Sequence, residues 1–105
     1  MSVSVSLCNL RDDVGAVELA DPNGVVPRLC TSVPDLDGEF PLLRSFERQD
    51  ETILNWLQVR PLRAEVLKAA EQLGLTEEAR PVLTVLGEWS LTAIEMIWFV
   101  RVTAG

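Results

Sequence analysis

The sequence predicts an α+β fold: an N-terminal antiparallel β-meander, two central helices packed on the sheet, and a C-terminal strand. Three observations carry that expectation. Val3, Val5 and Leu7 alternate with Ser2, Ser4 and Ser6, the period-two pattern of a half-buried strand. Asp21-Pro22-Asn23-Gly24 is a tight-turn sequence, with proline presetting φ and Asn-Gly tolerating positive φ. From Phe40 onwards the apolar spacing lengthens from two to three and four residues, which is the helical period.

Taken in order, the first strand ends at the polar turn Arg11-Asp12-Asp13, and Gly15 to Ala20 reads as a second strand. After the Asp21–Gly24 turn, Val25 to Val33 is expected to return as a third strand, with Pro27 pushing it towards a sheet edge. Residues 34–38 form an acidic, turn-rich loop. Phe40, Leu43 and Phe46 then share a helical face, and Ile53, Leu54 and Leu57 continue at helical spacing. Gln49 or Asp50 is the expected cap of that second stretch, with Glu51 in its first turn and Pro61 at its end.

The strongest helical signal follows. Leu62, Val66, Ala69, Ala70 and Leu73 form one stripe, with Arg63, Lys68, Glu71 and Gln72 assigned to the solvent face. Pro61 fits the first helical position and Gly74 a left-handed C-terminal cap. Thr76-Glu77-Glu78 looks like another helix start, but Pro81 removes a backbone donor just beyond it. Periodicity does not decide whether Pro81 to Trp89 is helix or buried strand. Leu91 to Thr103 is rich in β-branched and aromatic residues and reads as a strand covered on both faces. One domain spanning residues 1–105 is the natural count.

Composition narrows the chemistry. There is no histidine, and Lys68 is the sole lysine. Histidine is the commonest general base and metal ligand near neutral pH, so both roles lose their usual residue. Sixteen acidic residues against nine basic ones give a net charge of −7. No cluster of lysine and arginine offers phosphates a landing site, so nucleic acid and anionic membranes are not expected as direct partners. No apolar run is long enough to cross a bilayer, and the N-terminus lacks the basic region of a signal peptide, which predicts cytoplasmic residence. Cys8 and Cys30 fit neither a redox motif nor a zinc site and read as buried, reduced thiols, with a disulfide between neighbouring strands as the alternative.

Asp35-Leu36-Asp37-Gly38-Glu39 is the most suggestive carboxylate cluster. Counted as a calcium-binding loop from Asp35, its twelfth position is Phe46 where a bidentate glutamate is required, so the motif fails. Nucleophile and phosphate-binding signatures are also missing. The sequence therefore predicts a protein that is not an enzyme and uses no cofactor or metal.

The expectation that remains is a protein-binding protein whose acidic surface masks or neutralises a basic partner. Immunity proteins, antitoxins and phage-encoded inhibitors are of this size and character, a likeness of class alone. The stretch from Asp35 to Glu51 holds six acids and two arginines. The expected partner-binding residues are Asp35, Asp37, Glu39, Glu47, Asp50 and Glu51, together with Trp56, which lies beside the Ile53–Leu57 stripe. Trp89 and Trp98 are weighed against the same role, with Trp98 assigned to the core. The alternative is a homodimeric chaperone or scaffold subunit that holds an apolar segment of a partner. A third class, small-molecule or metal-dependent activity, predicts thermal stabilisation by a ligand.

Overall fold

The computed structural model describes residues 3–9, 12–32, 40–48, 50–96 and 98–104. In chain order they form β1 (Val3–Asn9), β2 (Asp12–Glu18), α1 (Val25–Ser32), α2 (Pro41–Arg48), β3 (Glu51–Leu54), a 3-10 turn (Trp56–Gln58), α3 (Val59–Leu73), α4 (Thr76–Met96) and β4 (Trp98–Ala104). The fold is α+β, as expected: a four-stranded antiparallel sheet in the order β2-β1-β4-β3 with the helices gathered on one face.

Register decides which side chains face the helices. Leu7 lies opposite Val100, which lies opposite Leu54, and Val5 lies opposite Val102. All five are buried, and they meet Val25, Leu29, Phe40, Leu43, Phe46, Val59, Leu62, Val66, Val82, Leu86 and Trp89 in one core. The other face of the sheet carries Ser4, Thr103, Glu51 and Ile53 in the open, with Ser6 and Arg101 half-covered. The C-terminal strand is central: Val100 and Val102 are buried on the helix face, while on the other face Arg101 is half-covered and Thr103 exposed.

The segment expected as a third strand, Val25 onwards, is helix α1. Asp21 explains the difference. Its two carboxylate oxygens accept from the N–H groups of Val25 and Val26, each at 2.8 Å. The third residue of the helix is Pro27, which has no N–H, so no donor of the first turn is left unmet. Proline there fits the start of a helix and needs no sheet edge. The preceding turn forms as predicted, with Gly24 at φ +60° donating to the Asp21 carbonyl at 3.1 Å. Replacing Asp21 by alanine is expected to cost about 1–2 kcal/mol, and Asp21→Asn less, because one acceptor survives. Equal thermal midpoints for wild type and Asp21→Ala would refute this cap.

Ile53 and Leu54 are in a strand, not in the helix their spacing suggested, because β4 offers them a pairing partner and tertiary pairing overrides local period. Helix α3 accordingly begins at Val59, with Pro61 as its third residue and not its first. Its left-handed terminus at Gly74 (φ +69°) is as predicted. Pro81 to Trp89 proves helical, inside α4, and Trp89 is buried in the core; Gly87 and Glu88 lie within the helix and not in a turn. Leu91 to Met96 also remains helix, which corrects the strand expected there. The seven residues of β1, Val3 to Asn9, pair with Ala104 back to Trp98, so the described pairing with β1 belongs to β4 and includes none of residues 91–96.

Arg63, assigned to solvent, instead turns towards α4 and donates from Nε to the Leu83 carbonyl at 2.9 Å. Gly87 makes room for it: a Cβ there would lie 3.4 Å from that Nε. Cys8 and Cys30 are buried thiols, as expected; with Cys30 on helix α1, a bridge between neighbouring strands has no basis.

Candidate protein-binding surface

The expected binding residues fall into three groups. Asp35, Asp37 and Glu39 lie outside the described residues. Glu47 and Trp56 are placed by their backbone, in α2 and in the 3-10 turn, and their side chains lie outside the described set. Asp50 and Glu51 are fully described. Both are exposed, at the bend where the chain leaves α2 and enters β3.

The local build of that corner follows from a few interactions. Helix α2 ends at Arg48, and Glu51 opens the short strand β3, which lies at one edge of the sheet. Asn55 stops the strand by capping the 3-10 turn: its Oδ1 accepts from Leu57 N at 2.9 Å, and its own N–H donates to Gln58 Oε1 at 2.9 Å. On the open face Glu51 has Arg101 as its diagonal neighbour, with Nε 4.0 Å from Oε2. At that distance the pair adds little to stability.

Sequence reasoning missed the apolar part of this corner. Ile53 is 51% exposed and Leu57 63% exposed. The helical reading placed both on a buried stripe. In a strand, Ile53 alternates with the buried Leu54 and falls on the open face beside Arg101. Carboxylates at Asp50 and Glu51 thus stand at the same short strand edge as exposed Ile53, with Leu57 exposed in the 3-10 turn that follows, and charge beside apolar surface is the composition of a protein interface.

A second concentration of acid was also missed, although its signal is plain in the sequence as Thr76-Glu77-Glu78. Glu71 is exposed near the end of α3, and Glu77 and Glu78 lie in the first turn of α4. Their position is favourable for α4, since negative charge complements a helix N-terminus. Glu77 also pairs with Arg80 at 2.7 Å, and the Glu78 carbonyl accepts from Asn23 Nδ2 at 3.1 Å, which ties the Asp21–Gly24 turn to α4.

Among the described residues one carboxylate is buried. Glu65 on α3 is 9% exposed and meets the start of α2. Its Oε1 accepts from Leu42 N at 3.0 Å and from Leu43 N at 3.1 Å, and its Oε2 lies 3.2 Å from Leu42 N. Burial raises its pKa, an effect the two backbone donors partly offset. These bonds occupy Glu65 as a structural cap. The apolar void lined by Val5, Leu19, Val26, Leu43, Phe46, Leu62, Val66 and Leu86 measures about 10 Å³, the space of a single water-sized sphere, and so admits no substrate. Among the described residues no three acidic or cysteine side chains converge on a common cation position, and no helix is long and apolar enough to cross a membrane.

The structure therefore defines a small α+β domain whose sheet exposes Ser4, Thr103, Glu51 and Ile53 on the face away from the helices and ends in an acidic, partly apolar edge. No protein-family model, curated protein or solved structure matches the chain.

Proposed function

We propose that this protein acts in the cytoplasm as a binding protein, not as an enzyme, whose acidic surface masks or neutralises a basic protein partner. Immunity proteins, antitoxins and phage-type inhibitors of nucleases or defence systems are the functional class it would join. The observation that carries this reading is the pairing of a net charge of −7 with exposed Asp50 and Glu51 beside exposed Ile53 and Leu57. Dispersed charge steers a basic partner from a distance, and the aliphatic pair supplies area to be buried on contact. Asp35, Asp37, Glu39, Glu47 and Trp56 complete the proposed surface.

The test is capture of partners by the tagged chain at low and high salt, followed by association kinetics with the partner identified. Association is expected to slow steeply as salt rises. Neutralising Asp35, Asp37, Glu39, Asp50 and Glu51 together should lower the on-rate by about tenfold or more while leaving the fold intact. An unchanged on-rate and affinity would remove this surface from the mechanism.

The exposure of Ile53, Leu57 and Leu91 (61%) favours a second reading, a homodimeric chaperone or scaffold subunit that holds an apolar segment of a partner. It predicts a stable dimer and a complex that survives high salt.

A further inference from the structure

The sheet ends at β3, and among the described residues no further strand pairs with its outer edge. We propose that this edge is where the partner docks, and that it takes up an extended, basic segment of the partner as a fifth strand. The inference rests on the masking function proposed above and specifies its mode.

Antiparallel pairing directs alternate residues of a strand towards one neighbour and the rest away from it, so half of β3 presents its N–H and C=O groups to the outer side. Four residues span about 13 Å and offer an added strand about four main-chain hydrogen bonds at most. Main-chain bonds supply affinity in strand addition, and the side chains that alternate along the edge supply selectivity. Here the open-face positions are Glu51 and Ile53, with Asp50 before them and Leu57 after them. An incoming strand therefore meets the carboxylates of Asp50 and Glu51 at one end of β3 and the aliphatic side chain of Ile53 towards the other.

Natural edges that are closed to association carry charge, proline or a bulge along their length. The opposite edge, β2, has three acids along its seven residues, Asp12, Asp13 and Glu18, with Val17 exposed beside the last of them. β3 has one, Glu51 at its start, followed by a half-exposed isoleucine. Charge complementarity identifies the occupant. A second copy of this chain would bring another −7 to the same edge, whereas a lysine- or arginine-bearing strand neutralises Asp50 and Glu51 as it pairs.

The probe is a short synthetic peptide of alternating lysine and valine, together with the same peptide N-methylated at alternate residues. Methylation preserves charge and side chains but blocks main-chain donors. Both are titrated into the isotope-labelled full chain while backbone amide signals are followed. The expected result is amide shifts concentrated at Glu51 to Leu54 and binding of the unmethylated peptide roughly tenfold or more tighter than that of its methylated form. Ile53→Lys, which removes the aliphatic group and adds a charge that repels the peptide, should weaken binding of the unmethylated peptide by roughly tenfold with little change in melting temperature, because Ile53 lies outside the core.

Equal, salt-sensitive binding of the two peptides would overturn strand addition and leave the acidic masking reading standing. Failure of both peptides to bind would overturn strand addition, and the capture experiment then judges masking on its own. Amide shifts at Glu51 to Leu54 that grow with protein concentration in the absence of peptide would assign the edge to a second copy and overturn the proposal as well.

Discussion

Truncation of Phe46 to alanine is expected to destabilise the protein by about 3–5 kcal/mol, the range for removing a buried aromatic ring. Phe46 is 1% exposed, and it lines the small void between the sheet and helices α1 to α4. Losing the ring removes contacts with strand and helices alike and enlarges a space whose walls are all apolar. Small domains are stable by only about 5–15 kcal/mol, so this one change consumes a large share of the total. Urea unfolding would show it as a lower midpoint at unchanged slope. Phe46→Leu, which keeps much of the volume, should lose less. An enlarged apolar void also predicts that benzene raises the midpoint of Phe46→Ala and leaves the wild type unaffected. A cost below about 1 kcal/mol would be incompatible with the packing described here.

The second large effect belongs to Glu65. Helix α2 begins without local help. Phe40 stands at its cap position, accepting from Arg44 N at 2.9 Å, and has no polar side chain to offer. Pro41 has no N–H, which leaves Leu42 and Leu43 as donors, and Glu65 takes both. Glu65→Ala strands two N–H groups where water has poor access and is expected to cost about 2–3 kcal/mol. Glu65→Gln keeps one acceptor and should cost less.

The pH dependence has a definite sign. Burial raises the folded-state pKa of Glu65 above its unfolded value. Between the two values the native protein holds a proton that the unfolded chain has released. Its contribution to stability is therefore full below the unfolded pKa and declines as pH rises through the folded one. The stability of Glu65→Gln relative to wild type should accordingly rise with pH across that window and be flat on either side. A relative stability that falls with rising pH would contradict the burial of this carboxylate.

The edge of β3 and the cap of α2 bear on one another. α2 leads directly into Asp50 and Glu51, so Glu65 helps to fix the place from which the acidic edge is presented. Loss of the cap is expected to weaken partner binding through misplacement of that edge, in addition to its effect on stability. The Phe46 ring, at the other end of α2, anchors the same helix to the core.

Elements whose signals are local were legible in the sequence. The Ser/Val alternation makes β1, the Asp-Pro-Asn-Gly turn is present, Phe40, Leu43 and Phe46 share the buried face of α2, and Gly74 ends α3 in the left-handed conformation. Asp50 and Glu51, expected as the cap and first turn of a helix, stand instead at a bend and at the start of β3, and Ile53 and Leu57, expected on a buried stripe, are exposed. Short apolar runs fit a helix or a strand equally well, and pairing decides between them. Residues 51–54 became a strand because β4 had an edge to offer, and Ile53 was thereby turned outwards. Residues 91–96 stayed helical, and the described pairing with β1 belongs to β4, from Trp98 onwards.

The two carboxylate caps state the division most clearly. Both α1 and α2 meet their first-turn donors with one carboxylate and a proline. Asp21 lies four residues before the first N–H it binds, so the sequence determined that helix start even where its residues were read as strand. Glu65 lies 22 residues beyond Leu43, on another helix, and only the packing of α3 against α2 brings it there. A contact that follows from covalent proximity is written in the order of residues. One that depends on how elements pack is decided by the tertiary structure, because its geometry exists only once the core has formed.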